Sequence, residues 1–395
     1  GYDDVIVGAW YYSSETGQAF VYHGGPDGVE NSAATIITGP ASTSYLGYSV
    51  AGAGDVDGDG YDDVIIGAPQ ASSRVGRVYL HHGSAAGVSE SADTTLSGPS
   101  SNSNFGASVA GAGDVNGDGY DDVIVGANAV SSSTGQATIY HGSARGVSTT
   151  AATTLSGPSS SASFGVSVAS AGDVDGDGYD DVIVGASGVS SSTGRAYVHH
   201  GGSSGVSTTV TSTLVGFSSS NYFGFSVTSL GDVSGDGYDD VAVGSYGYSS
   251  STGRVSIFHG SASGVNSVAA ATLAGTSSSA FGYSVAGAGD VDGDGSPDLV
   301  VGANNLSSGY GGAYVFYGTG AGMATSAGTT LSPPGFFSSS PQISPVGDLD
   351  GDGYDDFAVG SSGYSSNAGI VYVFYGGPAG PAYEADATLV GASSE

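Results

Sequence analysis

Short apolar segments separated by Gly- and Ser-rich stretches recur along the whole chain. In one stretch the segments are Phe105–Ala110, Val123–Ala127, Ala137–Gly142 and Thr153–Gly157. Apolar runs of this length, bounded by Gly and Ser, are typical of β-strands. The pattern therefore predicts a unit of four short strands, named A to D in chain order, with an aspartate-rich turn between A and B.

This unit repeats with a period of 58–59 residues. Its clearest marker is an aspartate that recurs at Asp55, Asp114, Asp173, Asp232, Asp290 and Asp348, and residues 1–4 match the end of one more copy. One four-stranded sheet of this size cannot bury both faces, whereas seven packed around an axis can. A straight solenoid is the alternative arrangement, but solenoids need distinct caps, and the sequence shows none.

We therefore expect an all-β fold, a seven-bladed β-propeller of four-stranded antiparallel blades that forms a single domain over residues 1–395. Strand A of the first blade has no counterpart in the sequence, so this blade is expected to be incomplete at its N-terminal side.

The turn between strands A and B reads Asp-x-Asp-x-Asp-Gly-x-x-Asp, as in Asp55, Asp57, Asp59 and Asp63. Calcium takes six to eight oxygen ligands in loose geometry, which alternating carboxylates on a tight loop supply. The alternative is that the aspartates only form Asx turns, but carboxylates forced together without a cation repel one another. The sequence therefore predicts about six calcium sites.

The extra aspartate before the last ligand, such as Asp62 or Asp121, is expected to cap the loop or to face solvent.

Besides the loop just given, the predicted metal ligands are Asp114, Asn116, Asp118 and Asp122; Asp173, Asp175, Asp177 and Asp181; Asp232, Ser234, Asp236 and Asp240; Asp290, Asp292, Asp294 and Asp298; and Asp348, Asp350, Asp352 and Asp356. Asn116 and Ser234 are neutral, so their sites are expected to bind calcium more weakly.

Two further signatures flank the loop. Phe-Gly stands at residues 105–106, 164–165, 223–224 and 281–282, with Leu46-Gly47 in one copy, and Gly-Ala-Pro stands in full at Gly67–Pro69. Together with the aspartate loop, they resemble the FG-GAP repeats of integrin α-subunit propellers and bacterial relatives. The resemblance covers essentially the whole chain and implies seven blades with calcium in the A–B turns. Ser339–Ser340 replaces Phe-Gly in the last copy, so strand A of blade seven is expected to pack differently.

Charge and composition narrow the possible partners. The net charge is −32, and 29 of the 37 acidic residues lie in the repeated loop. Such a surface repels nucleic acid and anionic membranes, and no apolar run is long enough to span a bilayer. The chain contains no cysteine, which excludes disulfides and thiolate metal sites. Calcium ligation favours an extracellular or cell-surface location.

The sequence offers no catalytic set, so we do not expect an enzyme. Its one Gly-x-Ser-x-Gly match, at residues 201–205, falls in a Gly/Ser-rich stretch between predicted strands C and D and not at a strand-to-helix turn, and the chain has no cysteine and no lysine, which leaves no nucleophile signature. Histidines recur at His23, His82, His141, His200 and His259, a spacing that favours a structural strand-end position over a ring of metal ligands.

The blade ends opposite the calcium turns carry the variable loops, where aromatic residues collect. Exposed aromatic side chains suit protein or sugar contacts, and the candidate ligand-binding residues are Trp10, Tyr11, Tyr12, Tyr246 and Tyr248. The alternative is that they pack against neighbouring loops.

The favoured function is an extracellular, calcium-stabilised adhesion or binding scaffold for a protein or glycan. A self-assembling surface or filament subunit is the second hypothesis, followed by a lectin and a calcium-dependent polysaccharide lyase.

Overall fold

The fold is an all-β propeller of seven blades arranged in chain order around an axis. A computed structural model describes residues 2–307, 310–331, 341–364 and 368–391. Six sheets have four antiparallel strands, and the first has three. The sequence therefore predicted the fold class correctly. Ser339–Ser340 lies outside the described residues.

The strands follow the predicted order. Blade one contains β1 (Val5–Ala9), β2 (Gln18–Tyr22) and β3 (Thr35–Thr38). Blades two to four contain β4 (Ser49–Gly54), β5 (Asp63–Ala68), β6 (Arg77–His81) and β7 (Thr94–Ser97); β8 (Ser108–Gly113), β9 (Asp122–Ala127), β10 (Gln136–Tyr140) and β11 (Thr153–Ser156); and β12 (Phe164–Gly172), β13 (Asp181–Ala186), β14 (Arg195–His199) and β15 (Ser212–Val215).

Blades five to seven contain β16 (Val227–Gly231), β17 (Asp240–Ser245), β18 (Arg254–Phe258) and β19 (Ala271–Ala274); β20 (Phe281–Gly289), β21 (Asp298–Ser307), β22 (Tyr310–Phe316) and β23 (Thr329–Leu331); and β24 (Gln342–Gly347), β25 (Asp356–Ser361), β26 (Ile370–Phe374) and β27 (Ala387–Val390). Because the strands alternate in direction, the A–B and C–D turns share one rim, here called the acidic rim. The B–C and D–A turns share the other, here called the serine rim.

In blade three, the predicted strand boundaries differ from the observed ones most at strand A. The pattern predicted a strand from Phe105, but β8 begins at Ser108. Gly106 adopts φ +83°, and a Cβ added there would lie 2.8 Å from Val78 Cγ2 of the preceding blade. Phe105 is 1% exposed. The Phe-Gly pair is therefore an anchor between blades that only glycine lets approach so closely.

The core lies between blades rather than within them. Each of the seven apolar clusters of the described residues joins two neighbouring blades. One cluster packs Ile124 and Leu155 of blade three against Val182 and Val184 of blade four. Strand B is buried on both faces, as in β13, whereas the outer strand β11 alternates buried and exposed residues. This burial explains why strand B is a continuous apolar run.

Five B–C turns share an unusual backbone. Each contains a four-residue helical turn: α1 (Tyr12–Glu15), α2 (Ala71–Arg74), α3 (Val130–Ser133), α4 (Val189–Ser192) and α5 (Tyr248–Ser251). Two consecutive serines in each adopt left-handed dihedral angles; Ser190 and Ser191, for example, have φ 52° and 57°. Left-handed non-glycine residues cost free energy, so the turns are held by their surroundings. The Ser192 carbonyl, for example, accepts a hydrogen bond from the Tyr222 N–H at 2.8 Å.

Candidate metal centres on the acidic rim

The aspartates of the A–B turns form compact carboxylate clusters. In blade two, one ligand oxygen from each of Asp55, Asp57 and Asp63 lies within 4.8 Å of the other two. Equivalent clusters form in blades four, six and seven: Asp173, Asp175 and Asp181; Asp290, Asp292 and Asp294; and Asp348, Asp350 and Asp356. Oxygen donors at this spacing match the needs of a hard divalent cation. Four of the six predicted loops therefore have the geometry to hold a metal.

Some predicted ligands lie outside these clusters. Asp59, Asp177 and Asp352 are not within 4.8 Å of all the others in their loops, and Asp294 takes the place of Asp298 in blade six. No cluster of three acidic groups forms in the described loops of blades three and five, where Asn116 and Ser234 replace the second aspartate. Asn116 Oδ1 still accepts the Asp118 N–H at 2.9 Å, as Asp57 Oδ1 accepts that of Asp59 at 3.2 Å.

Backbone hydrogen bonds hold each loop in shape. Asp55 Oδ1 accepts the N–H groups of Gly58 and Asp59 at 2.7 and 3.0 Å, and its Oδ2 accepts that of Gly60 at 2.9 Å. Gly58 and Gly60 adopt φ of 76° and 89°, which glycine tolerates. Asx turns and carboxylate clustering therefore coexist, because a carboxylate oxygen accepts more than one interaction.

The last aspartate of each loop is buried and joins two turns of its own blade. Asp181 Oδ2 accepts the Val174 N–H at 3.0 Å, and its Oδ1 accepts that of Gly201, in the C–D turn, at 2.8 Å. Burial raises the pKa of Asp181 to about 8, with a further upward contribution from Asp175 and Asp173, although both N–H groups lower it. Burial likewise raises the pKa of Asp122, Asp298 and Asp356 to about 7 and of Asp63 and Asp240 to about 6.

The extra aspartate has a role that the sequence did not indicate. Asp121 of blade three accepts the Asp55 N–H of blade two at 2.9 Å through Oδ2, and its own N–H donates to the Asp55 carbonyl at 3.2 Å. It therefore brackets the neighbouring metal loop. The same bracket joins Asp180 to Asp114, Asp239 to Asp173, Asp355 to Asp290, and Asp3 to Asp348.

The bracket between Asp3 and Asp348 links the first blade to the last and so closes the ring. Two of the seven junctions lack this bracket among the described residues. Pro297 of blade six stands where the bracketing aspartate would be, and Asp62 of blade two has no A–B loop of blade one to contact. The recurrence of this aspartate in every repeat except that of blade six was the available signal, but its partner on the neighbouring blade was not visible in the sequence.

The recurring histidines also lie between blades. A Cβ added at Gly146, in the C–D turn of blade three, would lie 2.5 Å from His82 Nε2 of blade two. His82 Nδ1 lies 3.0 Å from Asp57 Oδ2, and His200 Nδ1 lies 2.7 Å from Asp175 Oδ2. Each of these imidazole rings therefore contacts a predicted metal ligand of its own blade. The His82 ring also packs against the C–D turn of the next blade.

On the serine rim, the candidate ligand-binding aromatics form two groups. Trp10 packs against Tyr11, Tyr45 and Tyr48 with centroid distances of 5.1, 5.1 and 5.8 Å. Tyr11 is 49% exposed, whereas Tyr12 begins the turn α1.

The second group belongs to blades five and six. Tyr246 stacks on Tyr222 at 4.9 Å and touches Phe225 and Tyr283 at 4.8 and 5.6 Å. Burial raises the pKa of Tyr246 to about 12. Tyr248 lies beside Phe217 at 6.1 Å. Phe217, which is 53% exposed, belongs to the same surface.

No helix among the described residues is long and apolar enough to cross a membrane.

Comparison with solved structures shows the same fold elsewhere. The BP39L lectin from Burkholderia pseudomallei superposes with a TM-score of 0.55 at 11% sequence identity, covering 98% of this chain and 99% of the lectin. At this identity the likeness extends to the fold alone.

Curated relatives are integrin α-subunits. Integrin alpha-4 of Xenopus laevis is 34% identical over 259 residues, and integrin alpha-V of Gallus gallus is 32% identical over 287 residues. The matches cover 62% and 63% of this chain but 24% and 27% of the integrin chains, so this chain spans about a quarter of their length.

Family models match most of the chain. The FG-GAP repeat matches residues 46–81, and the FG-GAP-like repeat matches residues 114–184, 173–243, 232–301 and 290–359. The matches lie in blades two to seven, and each FG-GAP-like match begins at the first aspartate of one metal loop and ends in strand B of the following blade. The chain belongs to the FG-GAP repeat family of integrin α-like β-propellers.

Proposed function

We propose that this propeller is an extracellular binding scaffold, stabilised by calcium on the acidic rim, whose protein or glycan ligand binds on the serine rim. The observation that carries the proposal is the separation of the two chemistries. Carboxylate clusters lie at one end of the blades, and aromatic side chains pack into groups at the other, around Trp10 and around Tyr246, beside the exposed Tyr11 and Phe217. We also propose that the domain has no catalytic activity of its own.

Calcium is the proposed ion because every ligand is oxygen and the loops are of the flexible, multi-carboxylate kind that calcium prefers. About six ions would bind, one in each complete loop. Asp55, Asp57 and Asp63 would hold the ion in blade two, and the ion would neutralise carboxylates that otherwise repel one another. Extracellular modules bind calcium at roughly 10⁻⁴–10⁻³ M, which favours a location where calcium is abundant.

A ligand screen tests the proposed binding surface. The calcium-loaded domain is applied to a glycan microarray and to an array of secreted and cell-surface proteins, alongside two serine-rim variants: the double variant Tyr11→Ser with Tyr12→Ser, and Phe217→Ser. Tyr383→Ser is the control, because Tyr383 is 50% exposed but lies in a C–D turn on the acidic rim. The proposal expects at least one ligand whose binding one of the serine-rim variants weakens and the control does not. Absence of any ligand, or loss only in the control, would contradict it.

A further inference from the structure

The two rims differ in charge as well as in shape. Every acidic residue of the described chain except Glu15 lies in or beside an A–B or C–D turn, on the acidic rim. Four of the five basic residues, Arg74, Arg77, Arg195 and Arg254, lie instead on the serine rim. The six-residue strand B separates the rims by about 20 Å at roughly 3.3 Å per residue. This exceeds twice the Debye length of about 8 Å at physiological salt, so the serine rim is screened from the acidic rim.

These arginines are not neutralised by the protein. The ion pairs formed among the described residues all join a histidine to an aspartate. No described carboxylate therefore lies within 4.0 Å of an arginine nitrogen, although the chain carries 37 acidic residues. An arginine without a protein counter-ion, on the rim that carries the exposed aromatics, is available to an external anion.

Arg254, at the start of β18 in blade five, is held in a fixed orientation by two aromatic rings. Its Cζ lies 4.4 Å from the Phe217 ring centroid and 4.5 Å from that of Tyr248. Contacts of this kind are attractive and favour a guanidinium placed over aromatic faces. Its Nε is buried without a hydrogen-bond partner in the described structure, and its Nη2 donates a long hydrogen bond of 3.5 Å to Thr272 Oγ1. The remaining terminal donors are therefore free to bind a ligand.

Blade four provides a natural comparison. Arg195 occupies the same register position, opposite Val215 in β15 as Arg254 is opposite Ala274 in β19. Pro158 and Val189 stand where blade five has Phe217 and Tyr248. Arg195 therefore lacks the two rings that contact Arg254, here called the aromatic cup (Phe217 and Tyr248). The arrangement around Arg254 is not a by-product of the repeat.

A hydroxyl-lined depression adjoins the cup. Residues 218–222, 246–247 and 249–251 line a cavity of about 440 Å³ whose wall is mostly serine, with the stacked pair Tyr222 and Tyr246. Hydroxyl groups next to aromatic faces suit a polar ligand that also has apolar faces. A saccharide ring meets this description, and a planar guanidinium binds a carboxylate through two parallel hydrogen bonds.

We propose that the Phe217, Tyr248 and Arg254 group, with the adjoining serine-lined depression, is a binding site for a carboxylated saccharide. Arg254 would hold the carboxylate, Phe217 would stack on a sugar face, and the serine loops would bind ring hydroxyls. The inference rests on the proposed function and narrows its ligand to one chemical class at one blade.

The test uses calcium-loaded protein on a glycan microarray in which each uronate or sialate glycan is paired with its neutral parent or methyl ester. The site predicts binding to carboxylated members in preference to their neutral pairs.

The carboxylated glycan that binds most tightly is then titrated against four variants: Arg254→Gln, Arg254→Lys, Phe217→Ser and the control Arg195→Gln. Removal of a charge-assisted hydrogen-bonded partner predicts a loss of about tenfold or more for Arg254→Gln. Arg254→Lys, which keeps the charge but not the paired donors, is expected to fall between Arg254→Gln and the wild type, and Arg195→Gln is expected to bind as the wild type does.

Several outcomes would overturn the proposal: no carboxylated glycan binds, neutral pairs bind equally well, or Arg254→Gln binds as the wild type does. Thermal melts of each variant confirm that a loss of binding is not a loss of fold. If neutral glycans or proteins bind through the serine rim independently of Arg254, the scaffold function survives and this site is wrong. If an acidic peptide binds Arg254 and no carboxylated glycan does, the saccharide assignment is likewise wrong.

Discussion

The last aspartate of each loop serves both the metal site and the fold. Asp181 joins the A–B loop to the C–D turn through two backbone N–H groups, and it is also a cluster carboxylate. Its burial without a cation opposes ionisation, which is why its pKa rises to about 8. A carboxylate in this position contributes differently to stability with and without a bound ion.

This difference predicts different pH dependences with and without calcium. In chelator-treated protein, the folded pKa values of about 6 to 8 for Asp63, Asp122 and Asp181 exceed the unfolded value of about 3.9. The folded state then binds more protons, so its stability falls as pH rises from about 4 to about 8. With saturating calcium the loop carboxylates are ionised in the folded state, and above about pH 5 they are also ionised in the unfolded state, so stability stays nearly constant from about pH 5 to about pH 8. Thermal melts at pH 5 and pH 8, with calcium and with chelator, measure both slopes; parallel slopes would contradict the assignment.

Substitution of the bracketing aspartate tests the contact between blades without changing a predicted metal ligand. Asp180→Ala removes the acceptor of the Asp114 N–H, which lies 2.9 Å from Asp180 Oδ2, without removing a predicted ligand. Loss of one partner from such a hydrogen bond costs about 1–3 kcal/mol of unfolding free energy. Denaturant unfolding measures the change. The reverse substitution, Pro297→Asp, gives the blade five–six junction the bracket it lacks and is expected to be neutral or stabilising. An unchanged stability in Asp180→Ala would show that the bracket is not a structural contact.

At the scale of elements, the B–C turns contain serines in the left-handed backbone conformation, which the sequence did not predict. Ser191, in α4, adopts φ 57° and ψ 46°, a conformation that β-branched residues resist. Ser191→Val is therefore expected to lower the unfolding free energy by about 1–2 kcal/mol, whereas Ser191→Gly is expected to stay near the wild-type value. Chemical denaturation of the two variants provides the comparison. Equal stabilities would mean that the turn does not require the left-handed form.

The backbone of these turns could not be predicted from the sequence, whereas the strands and the metal loops could. Strand existence and order were predictable because apolar runs such as Val123–Ala127 become the fully buried strand B. The positions of the metal loops were predictable because their spacing is regular. The left-handed serines were read only as loops, since serine does not signal positive φ. Contacts between blades, such as that of Asp121 with Asp55, were also hidden, because they join residues 66 positions apart through a packing geometry that the repeat alone does not specify.

At the scale of the whole molecule, seven interblade clusters and five aspartate brackets make each blade depend on its neighbours. The acidic rim carries the metal loops and therefore a concentration of like charge that opposes the closed ring. Metal binding to the folded state alone would relieve this repulsion and stabilise the ring by mass action. Calcium is thus predicted to stabilise the entire propeller rather than individual loops.

The measurement that tests this account most directly is isothermal titration of chelator-stripped protein with calcium, paired with thermal melts. The account predicts uptake of about six ions, one for each complete loop, together with a single cooperative transition whose midpoint rises with calcium concentration. No calcium uptake, or uptake without a change in the melting temperature, would contradict it and leave the aspartates as turn formers alone.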